Sequence, residues 1–148
     1  KPDIIFHLAA QSIVSDGYTD PLNTFKSNII GSANILESFR QSNSLGLVYV
    51  TSDKCYLNTN NNKKRFKEND KLGGLDNYSA SKASAEHIFF SYYHSYFKDN
   101  LKKRMVSVRA GNVIGGGDFK KDRIVPDLVK AIQKNKKVER FWKNYRRE

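Results

Sequence analysis

The stretch Gly46-Leu47-Val48-Tyr49-Val50-Thr51-Ser52-Asp53-Lys54 decides the fold. Its short apolar run, opened by glycine and closed by a polar triplet, predicts a buried parallel strand. Upstream, Ile4-Ile5-Phe6-His7-Leu8-Ala9-Ala10 is a second run of this kind, ending in small residues that let a ligand approach the backbone. Downstream, Met105-Val106-Ser107-Val108-Arg109-Ala110 is a third, running into Gly111-Asn112-Val113-Ile114-Gly115-Gly116-Gly117-Asp118. In an open α/β sheet, ligands bind beyond the carboxyl ends of the parallel strands, so Ser52, Asp53 and Lys54 stand where chemistry is expected.

Helical periodicity fills the intervals. After a polar loop containing Gly17 and Pro21, apolar or small residues recur at Phe25, Ile29, Ile30, Ala33, Leu36 and Phe39, and Asn28 falls inside the helix they predict. From Leu57 to Asp76 the chain is rich in Asn, Lys and Gly and reads as a long loop, which in a compact domain is functional or mobile. Asp76 or Asn77 can cap a helix that begins at Tyr78 and continues through Ala85, Ile88, Phe89, Tyr92 and Phe97. A last helix fits Ile124 to Ile132, with Pro126 in its first turn, where proline is tolerated. Strands alternating with helices imply βαβ units and a parallel sheet of the α/β class.

Composition narrows the function. The 148 residues make about one domain, and 39% hydrophobic content suffices for a core. No run approaches the ~18 apolar residues that span a membrane, and no charged-then-apolar signal segment opens the chain, so a soluble, cytoplasmic protein is expected. Cys55 is the only cysteine, which excludes an internal disulfide and reads as a small packed residue. His7, His87 and His94 lack ligand spacing, and no metal site is expected. The net charge is +11, and residues 134–148 hold seven Lys or Arg against two Glu, so about half of the excess lies in this tail. A solvated basic surface is one reading and a groove for an anionic phosphate ligand another. Phe141, Trp142 and Tyr145 would let the tail stack on bases, but a nucleic-acid partner is not favoured by so unspecific a run.

Tyr78 and Lys82 lie four residues apart at the start of a predicted helix, hence on one face about a turn apart. An ammonium held near a phenol favours its anion and brings a group of ordinary pKa about 10 toward use as a base at neutral pH. Such a base suits the oxidation of an alcohol. The same spacing on an exposed face would be plain amphipathic surface. Ser52 and Asp53 equally suit the capping of a turn after a strand, and Asn112 with its glycines suits a tight loop.

The order of these phrases resembles the extended short-chain dehydrogenase/reductase family of nucleotide-sugar enzymes, and within it the CDP-glucose 4,6-dehydratases. The likeness is carried by Phe6-His7-Leu8-Ala9-Ala10-Gln11, Thr51-Ser52-Asp53-Lys54-Cys55-Tyr56, Gly73-Gly74 before Tyr78-Ser79-Ala80-Ser81-Lys82, and Arg109 through Asp118. It runs from Lys1 to about Lys137 and implies a partial Rossmann-like, doubly wound parallel sheet over 1–137, with a divergent basic tail at 138–148.

By this resemblance Ala9, Ala10 and Gln11 line an NAD site, Tyr78 is the base on the sugar 4-hydroxyl, and Lys82 binds the nicotinamide ribose while lowering the tyrosine pKa. Ser52 bonds the same 4-oxygen, Asp53 is the acid at C6, and Lys54 acts at C5. A lysine base must be held neutral, as burial or nearby positive charge can do. Asn28, Arg109, Asn112 and Arg123 belong to the substrate side, although Asn28 also suits a solvent-facing helical position and charged helix starts are common. The implied substrate is CDP-glucose, the product a 4-keto-6-deoxy sugar, and the parent enzyme a homo-oligomer.

The Asp-Lys pair separates relatives. By the family pattern dTDP-glucose dehydratases carry Asp-Glu, simple 4-epimerases lack the pair, and inverting UDP-N-acetylglucosamine dehydratases share it. Cys55-Tyr56 and Ile114-Gly115-Gly116-Gly117-Asp118 favour CDP-glucose over the last of these. The glycine fingerprint of the dinucleotide site and most of the substrate domain are not found in the 148 residues, so a central fragment, inactive by itself, is expected. A non-catalytic remnant serving as an interaction module is the alternative from a different class. Val138 onward departs from the family pattern, as a truncated or frame-shifted gene would.

Overall fold

Strand β2 (Gly46–Ser52) lies between β1 (Ile4–His7) and β3 (Arg104–Ala110), all parallel, in a computed structural model that describes residues 2–59, 65–120 and 123–136. Ile4 stands opposite Gly46 and His7 opposite Tyr49; on the other side Gly46 pairs with Arg104 and Ser52 with Ala110. The three carboxyl ends therefore lie along one edge of the sheet. This is the expected α/β, Rossmann-like arrangement.

The first crossover differs from the expected loop and single helix. It comprises α1 (Val14–Thr19), α2 (Pro21–Phe25), a π-helical turn (Lys26–Ile30) and α3 (Gly31–Gln41). Pro21 occupies the first turn of α2, and the Asp20 side chain accepts a hydrogen bond from the Asn23 amide at 3.1 Å. Proline with a preceding aspartate is a helix start as well as a loop signal, and here it is the start. The wider π turn leaves Asn28 only 3% exposed, so it is not a solvent-facing residue.

The second crossover is α4 (Asn77–Tyr92), continued by a π-helical turn (Tyr93–Phe97). Leu36 and Phe39 of α3, Leu47 and Tyr49 of β2, and Ala85, Phe89 and Phe97 form the core between sheet and helices. Fully burying each large side chain contributes about 1.5–3 kcal/mol. Burial on both faces of the strands, as expected from their unbroken apolar runs, is not found in β1 and β3. Ile4, Phe6, Val106 and Val108 are exposed, because within this unit α3 and α4 cover only the face carrying Leu47 and Tyr49. β1 is also shorter than expected, ending at His7.

The chain divides into one unit up to Gly111 and a second from Asn112. The second holds α5 (Ile124–Gln133), with Pro126 in its first turn as expected. The tail at 138–148 lies outside the described residues. Among the described residues no helix is long and apolar enough to cross a membrane, and no three His, Cys, Asp or Glu side chains cluster to hold a metal ion.

Candidate active site

Helix α4 buries a stripe of side chains that includes polar ones. Its N-terminus is capped by Asp76, whose carboxylate accepts from the Ser79 amide at 2.9 Å and the Ser79 hydroxyl at 2.7 Å. Tyr78, Ser81, Lys82, Ala85, Glu86 and Phe89 recur at three- and four-residue spacing and are all buried. Tyr78 and Lys82 are each 7% exposed, and the Lys82 Nζ lies 6.0 Å from the Tyr78 ring centroid. The exposed-surface reading of this pair is thereby removed. Burial draws the Lys82 pKa below that of a free lysine, partly offset by neighbouring Cys55 and Glu86. His7, stacked on Tyr49 at 5.2 Å between centroids, has its pKa lowered by burial and by the Lys82 charge.

Beyond β2 the chain makes a short 3-10 turn, Asp53–Cys55, packed against α4. Ser52 Oγ accepts from the Lys54 amide at 3.3 Å and donates to Asp53 Oδ1 at 3.2 Å, so it caps the turn. Asp53 is half-buried and Lys54 exposed, while Cys55 is fully buried. Burial, reinforced by the Glu86 charge, pushes the Cys55 thiol up to about 11. The turn is closed by the Tyr56 amide donating to the Asp53 carbonyl at 3.3 Å, after which Tyr56 pairs with Leu72 in an isolated antiparallel bridge.

At the end of β1, Ala9 and Ala10 are exposed, and Gln11 is half-buried. Asn28 clamps the Gln11 backbone from both sides, accepting from its amide and donating to its carbonyl, each at 2.9 Å. The second amide hydrogen of Asn28 goes to Ser81 Oγ at 2.9 Å, and Ser81 donates to the Tyr78 carbonyl at 2.6 Å. One asparagine thus joins the segment after β1 to the first turn of α4.

Arg109 turns its guanidinium to protein groups. It donates to Glu86 at 2.9 Å, to the Tyr56 hydroxyl at 3.0 Å and to the Glu68 carbonyl at 2.8 Å. Glu86 also accepts from Thr51 and, at 2.7 Å, from Ser107. Burial would raise the Glu86 pKa, but the bonds from Arg109, Thr51 and Ser107 outweigh it and hold the carboxyl below its usual range. Glu86 has no part in the motif phrases, and Tyr56 enters them only as a neighbour of Cys55. The available signal was an acid one helical turn beyond Lys82, on the face that meets a strand carrying an arginine.

Tyr78, Lys82, Ser52, Asp53 and Lys54, with Ala9 to Gln11 and Asn28, all lie in the unit ending at Gly111. Asn112 and Arg123 lie in the second unit, where Asn112 is exposed and Arg123 pairs with Asp118 at 2.6 Å.

A family described as the NAD dependent epimerase/dehydratase family matches residues 1–148. The chain is 40% identical over 146 residues to the CDP-glucose 4,6-dehydratase of Salmonella typhimurium, covering 93% of this chain and 40% of that protein. It is 32% identical over 146 residues to the dTDP-D-glucose 4,6-dehydratase of Dictyostelium discoideum, covering 93% and 32%. Among solved structures, the UDP-glucose 4-epimerase of Thermus thermophilus in complex with NAD superimposes with a TM-score of 0.67 at 30% identity, covering 82% of this chain and 38% of that one. The chain therefore spans well under half the length of these relatives.

Proposed function

The chain belongs to the NAD dependent epimerase/dehydratase family, and on that premise we propose that its whole protein converts CDP-glucose to a CDP-4-keto-6-deoxy sugar. The observation that carries the reading is the pairing of buried Tyr78 and Lys82 on α4 with the Ser52–Lys54 turn packed against the same helix, beyond the carboxyl end of β2. The 40% identity to a CDP-glucose dehydratase supports the nucleotide, and the Asp53-Lys54 pair supports dehydration over epimerisation.

The residues present suit NAD. Exposed alanines after β1 leave the backbone open to approach, and the Lys82 ammonium and Tyr78 hydroxyl are a donor set fit for a ribose diol. When bound, NAD supplies the acceptor of the C4 hydride and its return to C6. Tyr78 takes the proton of the sugar 4-hydroxyl, with the Lys82 charge favouring its phenolate and Ser52 turning its hydroxyl from Asp53 to the same oxygen. The 4-ketone acidifies C5; Lys54, exposed in this chain, removes that proton once the bound sugar nucleotide covers it and holds it neutral. Asp53 protonates the C6 hydroxyl as it leaves as water, and Lys54 gives the proton back to C5 as the hydride reaches C6. Asn28 orients Gln11 and the start of α4. Residues 1–137 serve as part of the cofactor domain in this reading.

The test is to express residues 1–148 with their flanking coding sequence and incubate the product with NAD and CDP-glucose, UDP-N-acetylglucosamine or dTDP-glucose. Mass spectrometry should show loss of water from CDP-glucose in preference to the others. Preferred dehydration of UDP-N-acetylglucosamine, or epimerisation without loss of water, would overturn the assignment. The 148-residue polypeptide alone, without the glycine fingerprint, is expected to leave CDP-glucose unchanged.

A further inference from the structure

Arg109 and Tyr56 are joined to the elimination pair by a continuous path. The guanidinium carbon stands 4.9 Å above the Tyr56 ring centroid, and Nη1 donates to the Tyr56 hydroxyl at 3.0 Å. Both partners are held elsewhere as well: Nη2 is held by Glu86, and the Tyr56 ring stacks on Phe66 at 4.7 Å between centroids. Tyr56 is itself the residue whose amide closes the turn by bonding the Asp53 carbonyl. On its other side Leu57 donates to the Lys71 carbonyl, and Gly73 to the Cys55 carbonyl, each at 2.9 Å. The turn bearing Asp53 and Lys54 is thus fixed from behind by a tyrosine that an arginine both stacks on and bonds.

We propose that Arg109, anchored by Glu86, is a positioning residue for the elimination step, fixing Asp53 and Lys54 through Tyr56 and the 53–55 turn instead of contacting the sugar nucleotide. This rests on the dehydratase reading above. Proton removal at C5 and protonation of the leaving C6 hydroxyl need two side chains held together on one ring, and a misplacement of about 1 Å costs roughly 100-fold in rate. C4 oxidation depends on Tyr78 and Lys82, which are carried by α4 and not by the 53–55 turn. Loosening Arg109 should therefore separate the two steps.

Arg109→Lys keeps a cation for Glu86 but loses the fork, and Tyr56→Phe leaves the Glu86–Arg109 pair intact, so folding is retained in at least the second variant. In the whole protein with CDP-glucose, quenched-flow mass spectrometry separates oxidised sugar, lighter by two hydrogens, from product, lighter by water. Elimination should slow by roughly 10- to 100-fold, oxidised sugar should accumulate, and KM should stay within about threefold of the parent. Without any ligand, hydrogen exchange at the Tyr56 amide should quicken while α4 stays protected. A raised KM with an unchanged balance of the two steps would show that Arg109 grips substrate, and an equal loss of both steps with deprotection of α4 would show a general structural role; either overturns the proposal. Asp53→Asn is the reference. Accumulation there but not in the Arg109 and Tyr56 variants overturns this inference alone, whereas its absence in Asp53→Asn as well overturns the dehydratase reading.

Discussion

The Lys82 ammonium sits 6.0 Å from the ring centroid of Tyr78, with both side chains buried one turn apart on α4. A cation in that place stabilises the phenolate and not the phenol. Lys82→Met should therefore lower C4 oxidation at neutral pH by roughly 10²- to 10⁴-fold. The loss should shrink as pH rises toward about 10, where an unassisted phenol ionises. A pH–rate profile checks this, and a loss of the same size at every pH would count against the role. Lys82 also links stability to pH. Its folded pKa lies below the 10.5 of a free lysine, so the unfolded chain holds the extra proton between the two. Stability should rise as pH climbs from the folded pKa toward 10.5, and Lys82→Met should abolish that rise.

Asn28 gives both amide hydrogens and its carbonyl oxygen to the fold: both backbone groups of Gln11, and Ser81. Asn28→Leu keeps the bulk but strands the Gln11 amide and carbonyl. A cost of about 2 kcal/mol in a urea titration is expected, since each unpaired buried group costs about 1–3 kcal/mol. NAD affinity, measured by calorimetry on the whole protein, should fall with it because the segment after β1 is no longer fixed. Unchanged affinity with unchanged stability would refute the clamp.

The carboxylate of Glu86 contributes to the dependence of stability on acid. Its folded pKa lies below 4.5, so its contribution is complete above that pH and is lost as pH falls from 4.5 through the folded value. Glu86→Gln should remove this acid-side slope and cost about 3 kcal/mol near neutrality, because it leaves the Arg109 charge without its partner. Chemical denaturation of the two proteins from about pH 3 to 7 decides it. Parallel stability curves would show that Glu86 does not titrate as described.

Strand identity and parallel order were legible because apolar runs and their polar ends follow from burial and period, which a sequence displays directly. Ser52, Asp53, Lys54, Tyr78 and Lys82 stand out as candidates through the motif phrases they occupy, and the structure packs the 53–55 turn against the helix that carries the last two. The Asn28 clamp was not, because a π-helical turn shifts the register by one residue and nothing in Lys26-Ser27-Asn28-Ile29-Ile30 announces it. Glu86 with Arg109 escaped for another reason. Their pairing joins residues 23 positions apart on a helix and a strand, and only the β2–β3 register, with Thr51 opposite Arg109, brings them together. One-sided cover of β1 and β3 was likewise unreadable, because an unbroken apolar run looks the same whichever face is covered.

Gly74 lies against the first turn of α4, which carries Tyr78. A Cβ at 74 would stand 2.2 Å from the Ala80 nitrogen and 2.3 Å from the Ser79 carbonyl carbon. Those are backbone atoms of the first turn of α4, so they can yield only by moving the helix start. Leu57, by contrast, meets Gly73 with a flexible side chain, its Cδ1 3.2 Å from the corresponding Cβ position. Gly74→Ala should therefore cost about 1–3 kcal/mol by overpacking. It should also lower the oxidation rate by displacing Tyr78, with roughly 100-fold the scale for a shift of about 1 Å. Gly115→Ala meets nothing within 4 Å and is the stability control, expected within about 0.5 kcal/mol of the parent. If thermal denaturation finds Gly74→Ala and Gly115→Ala equally benign, the close approach of the 73–74 backbone to α4 is not what places the tyrosine.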